Sequence, residues 1–154
     1  MSKSPRAATG VAQPGRGSGR KPPLRKAEYE ILAEFRYTLR HFLDFSGGAA
    51  TALGLTPQQH QALLAIKGYP GKAAVTPGEL AERLAIRHNT AVELANRLAA
   101  QDLIERRPAP ADRRQVLLAL TPTAEAKLAA LSASHRDELR RLRPVLKALL
   151  DRLS

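Results

Sequence analysis

The chain has no cysteine, no tryptophan, one methionine and only six aromatic residues. Without cysteine there is no disulfide framework, no Cys-based zinc or iron–sulfur site and no thiol redox switch. No apolar run approaches the roughly 18 residues of a membrane-spanning helix. The N-terminus lacks the apolar stretch of about 7–15 residues that a signal peptide carries, so the expected location is the cytoplasm, with no membrane partner. Acidic residues are also missing from one region. Residues 1–26 hold seven basic side chains (Lys3, Arg6, Arg16, Arg20, Lys21, Arg25, Lys26) and no acid. Four Gly, four Pro and three Ser share that stretch, while Val11 and Leu24 are its only sizeable aliphatics. Such a segment buries too little surface to offset its ordering entropy, so residues 1–25 are expected to be a disordered basic arm. Two roles fit it: a tail that binds a polyanion, or a solubilising leader.

What remains is rich in alanine and leucine and reads mainly as helix. The whole chain carries 25 Lys+Arg against 14 Asp+Glu in 154 residues, a formal net charge of +11. Over residues 27–154 that excess falls to +4. A first helix is predicted from about Lys26 to Phe45, with Ile31, Leu32, Phe35, Leu39, Phe42 and Leu43 on one face and Ser46-Gly47-Gly48 as its end. Thr56-Pro57 opens a second helix, which Gly68-Tyr69-Pro70-Gly71 closes. Thr76-Pro77-Gly78-Glu79 has the spacing of a capping box and opens a short third helix to about Ala85. Arg87 to Asp102 forms a fourth. Its buried stripe is Ala91, Leu94, Ala95 and Leu98. Asn89, Val92, Glu93 and Asn96 face the other way. Two such helices joined by a few residues suggest helix-turn-helix.

The next stretch reads as a hairpin. Leu103–Arg107 and Gln115–Leu120 suit extended strands, and the Pro-rich segment between them is a loop with adjacent arginines at its tip. Thr121-Pro122 caps a last helical region. Leu128, Leu131, His135, Leu139 and Leu142 line one face, and Pro144 is expected to start or kink a terminal helix. The first and last helices are surplus to the small core of a winged helix. The economical expectation is that they pack together and against a second copy of the chain.

Several fragments carry a family likeness. They are Leu-Thr-Pro-Gln-Gln at 55–59, Glu-Leu-Ala-Glu-Arg-Leu at 79–84, Asn-Arg-Leu at 96–98, Leu-Ile-Glu-Arg-Arg at 103–107, and Asp-Arg-Arg followed by Leu-Ala-Leu-Thr within 112–121. In this order and spacing, the chain from about Tyr29 to Leu150 resembles the MarR (multiple antibiotic resistance regulator) family of bacterial transcription factors. The resemblance implies a mainly α fold with a small β wing: a winged helix-turn-helix over 55–121, with dimerisation helices over 26–46 and 122–154, in a single domain spanning 26–154. It implies a homodimer that binds double-stranded DNA at a pseudo-palindromic operator, commonly as a repressor released by a small phenolic or anionic effector. The alternative is an effector-independent architectural protein that binds DNA nonspecifically. The chain departs from the family pattern at three places. The recognition helix opens with Arg87-His88-Asn89-Thr90 in place of a Ser or Thr cap. Glu93 stands where arginine is common. Thr121 is followed by Pro-Thr-Ala without the usual glycine.

Candidate DNA contacts follow from groove chemistry. A recognition helix inserts its first turns into the major groove. Thr90 suits a phosphate at the helix start. Asn89 suits adenine, and Val92 a thymine methyl. Glu93 either accepts from a cytosine amino group or pairs with Arg97. Arg87 and Arg97 suit the phosphate backbone. His88 is either an exposed turn residue or a phosphate donor. Of Arg106 and Arg107, which alternate along a strand, at most one faces DNA; Arg107 is the candidate. Lys67 and Lys72 are within possible reach of flanking phosphates. Arg113 and Arg114 at the wing tip suit the minor groove, with Asp112 holding a guanidinium in a carboxylate fork.

Enzyme chemistry finds no support. The four histidines, 41, 60, 88 and 135, show no helical metal-pair spacing, and no nucleophile or phosphate-loop motif occurs, so no catalytic residue, metal or cofactor is assigned. For the effector, the family's cavity lies among the first, second and fifth helices. There His60, with Tyr37 and His41, is the candidate source of polar groups, while His135 reads as a packing residue in its apolar stripe.

Overall fold

A computed structural model of the chain describes residues 22–153. Residues 1–21, most of the expected basic arm, lie outside the described residues. The elements run α1 (Lys26–Ala52), α2 (Pro57–Lys67), α3 (Pro77–Leu84), α4 (His88–Ala100), β1 (Ile104–Pro108), β2 (Val116–Leu120) and α5 (Pro122–Asp151). Three helix starts follow their local chemistry. The Thr56 hydroxyl accepts the Gln59 N–H at 3.1 Å, and the Gln59 side chain accepts the Thr56 N–H at 3.0 Å. Thr76 and Glu79 make the same reciprocal pair, at 3.2 and 2.9 Å. Thr121 caps α5 by accepting the Ala124 N–H at 3.2 Å, and its hydroxyl donates to the Asp102 carbonyl at 2.7 Å. Each device satisfies amides that a helix start leaves without partners.

Two helices are longer than the sequence suggests. α1 does not stop at Ser46-Gly47-Gly48 but continues to Ala52, ending where Gly54 adopts φ +74°. Two helical glycines cost about 1 kcal/mol each relative to alanine. Ala50, just beyond them, is fully buried in the core, which favours one more turn of helix over a break. The Thr51 hydroxyl also donates back to the Gly47 carbonyl at 2.9 Å. Similarly, α5 runs through Pro144 as one helix, rather than as two helices that meet there. Pro144 is exposed, so water can reach the carbonyl whose helical partner the proline removes.

β1 and β2 pair antiparallel, from Ile104 opposite Leu120 to Pro108 opposite Val116. Val75, in the loop between α2 and α3, adds a single bridge to Leu118, with N–H···O distances of 3.0 and 2.7 Å. One core cluster joins residues of α1, α2, α3, α4, both strands and α5. Leu63, Ile66, Leu80, Leu94, Leu98, Leu118 and Leu131 are its largest fully buried side chains. The buried residues of α4 are Ala91, Leu94, Ala95 and Leu98, as the periodicity predicts. α1 and α5 run antiparallel. Lys127, near the start of α5, donates to the Leu53 carbonyl at 2.8 Å at the end of α1. His135, further along α5, meets Ser46, earlier in α1.

A candidate nucleic-acid interface and an apolar cleft

α3 and α4 are joined by the turn Ala85-Ile86-Arg87. Ala85 takes a left-handed conformation, φ 53°, which redirects the chain without a glycine. Arg87 then stands at the N-cap of α4, and no side chain caps that helix. Its first amides therefore lack the acceptor that the other capped helices have, which suits an anion at this end. Arg87, His88, Asn89, Glu93 and Arg97 are exposed, and Thr90 and Val92 are half-buried at the edge of the same face. Glu93 and Arg97 form no ion pair among the described residues, so both head groups remain free to meet a ligand.

The wing is organised differently from the sequence expectation. Asp112 does not clamp a guanidinium. Its carboxylate accepts the backbone N–H of Arg114 at 3.0 Å, and its carbonyl accepts the Gln115 N–H at 3.0 Å. These bonds close a four-residue turn in which Arg113 and Arg114 are the two central residues. Both are exposed and unpaired among the described residues. An aspartate next to two arginines suggests an ion pair. Its short side chain instead reaches its own backbone two residues on. At the base of the wing, Arg106 turns toward α4 and donates to Asn96. Arg107 points to the other face of the strand, where it is paired with Glu105 two residues away.

Two lysines considered for flanking phosphates are engaged elsewhere. Lys67 pairs with Glu125 at 2.8 Å, and Lys72 pairs with Glu79. The hydrogen bond and charge of Glu79 raise the Lys72 ammonium above its ordinary value, and the Lys72 contact lowers the Glu79 carboxyl.

A separate cleft of about 510 Å³ opens between α1, α2 and α5. Phe42, Leu43, Leu64 and Leu139 form its apolar walls, and Ser46, His60, Gln61, Ser132, His135 and Arg136 supply polar groups. His60 is 4% exposed, and its ring lies 4.9 Å from that of His135 between centroids. Burial, and then the neighbouring His135, push the His60 imidazole below its ordinary value. The edges of Phe42 and Phe45 also approach His135. Tyr37 and His41 do not join this cleft. Their rings meet at a tilt of 60°, with centroids 4.3 Å apart, on the exposed side of α1. They sit one turn apart, but neither lines the face that α1 turns to α2 and α5. The sequence singles out neither Ser46 nor Arg136, and it shows His135 only as packing. The one legible signal is a histidine interrupting the leucine stripe of α5.

A two-strand wing behind a helix-turn-helix, held between two long antiparallel helices, defines a winged helix-turn-helix protein. Residues 53–115 match the model of the MarR family. A MarR family protein from Bacillus stearothermophilus is similar in structure, with TM-score 0.69 at 18% identity over 83% of this chain and 93% of that one. A point mutant of MepR from S. aureus, bound to an oligodeoxyribonucleotide, gives TM-score 0.63 at 19% identity, over 82% and 98% of the two chains. A point mutant of MarR from E. coli, complexed with operator DNA, gives 0.60 at 21%, over 86% and 99%. At these identities the likeness establishes the fold. No curated protein matches the chain. No described helix is long and apolar enough to cross a membrane.

Proposed function

We propose that this protein is a sequence-specific DNA-binding transcriptional regulator that acts in the cytoplasm as a homodimeric repressor on a pseudo-palindromic operator. α4 enters the major groove, and Arg113 and Arg114 reach the minor groove beside it. The observation that carries this reading is the wing turn. It spends its one acid on its own backbone and leaves two adjacent guanidinium groups without partners among the described residues. Isolated, exposed arginines at a hairpin tip suit the concentrated negative potential of a narrow minor groove. The uncapped start of α4 adds a phosphate site, and Asn89 and Glu93 are the candidates for reading bases. Two similar proteins, MepR and MarR, are bound to DNA in their structures, which supports the same partner here.

The homodimer rests on unpartnered apolar side chains. Leu32, Phe35, Leu39 and Leu43 of α1 and Leu139, Val145 and Leu150 of α5 are all at least 40% exposed. Apolar residues repeated along two packed helices mark an interface, and a second copy of the same face is the symmetric way to cover them. A small anionic or phenolic effector bound in the cleft between α1, α2 and α5 would act where these arms join the DNA-binding unit.

The test is selection of binding sites from random DNA with the full chain. Competition against nonspecific DNA at two salt concentrations then follows. The proposal expects a symmetric site and a specificity ratio above about 10³. A steep salt slope with little discrimination would replace it with nonspecific architectural binding. No affinity for any duplex would reject both.

A further inference from the structure

The far half of α5 carries a basic surface that α4 and the wing do not use. Arg136, Arg140, Arg143 and Lys147 recur at steps of four, three and four residues, so they share one face of the helix. All four are exposed, and they edge a groove floored by Leu139, Leu146 and Leu150. The row is about 16 Å long and begins roughly 21 Å along α5 from Pro122. Arg140 and Lys147 have acidic partners, Asp137 at 3.5 Å and Asp151 at 2.5 Å. Exposed pairs of this kind contribute little and are readily exchanged for a stronger anion. Arg136 and Arg143 have no acidic partner among the described residues.

The start of α1 adds positive charge at the same end. Lys127 at the Leu53 carbonyl and His135 at Ser46 fix the antiparallel register of α1 and α5. Carried along the two helices, that register sets Ile31 against Leu149, and both are buried. The chain therefore enters α1 beside the end of α5. Residues 1–21, outside the described residues, bring five basic side chains and no acid to this point. The first acids of α1, Glu28 and Glu30, are paired with Arg25 and Lys26. The winged unit lies at the opposite end of α1, about 40 Å away. There Thr121, at the head of α5, bonds the Asp102 carbonyl just past α4. A duplex seated on α4 and the wing leaves the basic end of the arms free.

We propose that the row from Arg136 to Lys147 is a second nucleic-acid surface, which holds the phosphate backbone of a second DNA duplex while the first occupies α4 and the wing. This rests on the DNA-binding reading above and adds that the protein bridges two duplexes. B-DNA carries one negative charge per about 1.7 Å of axis, so a 16 Å row faces roughly nine charges. Side chains that contact phosphates alone hold a duplex without regard to its sequence. A symmetric dimer repeats the row on its other half. A lipid surface fits less well, because it calls for apolar side chains that enter it. Leu139 and Leu150 belong to the face given to the second copy, and Val11 and Leu24 are the only sizeable aliphatics of the leading segment.

Two-colour fluorescence cross-correlation on the full-length protein tests this. A selected operator carries one dye and a duplex of unrelated sequence carries the other, so particles that hold both are counted directly. The variant is Arg140→Gln/Arg143→Gln/Lys147→Gln, three exposed positions outside α4, the wing and the cleft. Wild type should hold both duplexes at once. The variant should keep its operator affinity within about twofold and lose the second duplex. Its slope of log K against log salt for the second duplex should be flatter by about 2.7 for each row engaged, so the wild-type advantage shrinks about fortyfold between about 50 and 200 mM salt. A wild-type protein that binds its operator and takes up no second duplex, or takes it up only by releasing the operator, would overturn the proposal. Equal bridging by the variant would overturn the assignment to α5. Sedimentation with phosphatidylserine vesicles is the control. Vesicle binding that the variant loses, without bridging in wild type, would replace the duplex with a lipid surface. If wild type binds neither duplex, the DNA-binding reading itself falls.

Discussion

Replacing Arg114 with alanine isolates the electrostatic contribution of the wing. Its guanidinium has no acidic partner among the described residues, so its loss leaves no buried charge behind. The turn also survives, because the Asp112 carboxylate accepts the backbone N–H of residue 114, which alanine keeps. Stability should therefore change by no more than about 0.5 kcal/mol. DNA binding should change in a way that salt reveals. Each phosphate contact contributes about 0.9 to the slope of log K against log salt, and a dimer loses one contact per wing, so the slope should flatten by about 1.8. Over the fourfold span from about 50 to 200 mM salt, the wild-type advantage should then shrink by about twelvefold. Fluorescence anisotropy with a selected operator at four salt concentrations measures both quantities. Asp112→Asn is the companion variant. Its amide oxygen can still accept the Arg114 N–H, so the turn and the affinity should persist. Unchanged affinity and slope in Arg114→Ala would refute the wing assignment. A loss of binding in Asp112→Asn as large as in Arg114→Ala would show that the carboxylate's charge positions an arginine after all.

The remaining predictions concern the other parts of the molecule. Glu93→Ala should shift base preference at one operator position by about 1–3 kcal/mol if Glu93 reads a cytosine, and an identical selected site would remove that role. Leu43→Asp, at an exposed apolar position of α1, should halve the mass measured by light scattering and weaken operator binding, whereas an unaltered dimer would place the interface elsewhere. His60 is held neutral in the fold, below the ordinary imidazole value of 6.5, so its contribution to stability is complete above that pH. As pH falls below 6.5 the unfolded chain binds the proton more readily, and stability should drop by up to about 1.4 kcal/mol per pH unit until the lowered folded value is passed. Thermal melts across about pH 5–8 should show this slope in wild type and a shallower one in His60→Gln. Parallel curves would assign the acid sensitivity to other groups.

The parts of this protein legible in its sequence are those decided within a few residues. Thr56, Thr76 and Thr121, each followed by proline, start three helices because their hydroxyls reach amides three positions on. The period of Ala91, Leu94, Ala95 and Leu98 identifies the buried side of α4, and so the side left exposed. Tertiary packing decided the rest. Gly47-Gly48 reads as a stop, yet burial of Ala50 carries α1 past it. Pro144 reads as a break, yet α5 continues on an exposed surface. Asp112 beside two arginines suggests a fork, and only the closed turn shows its carboxylate on the backbone. The cleft is the least legible of all. Tyr37 and His41 share α1 with Ser46 but not its inward face, and Ser46 meets His135 across 89 residues of chain. Capping and periodicity act within one or two helical turns. Which imidazole lies beside which hydroxyl depends on how α1 and α5 align along their whole lengths, and only the folded arrangement sets that.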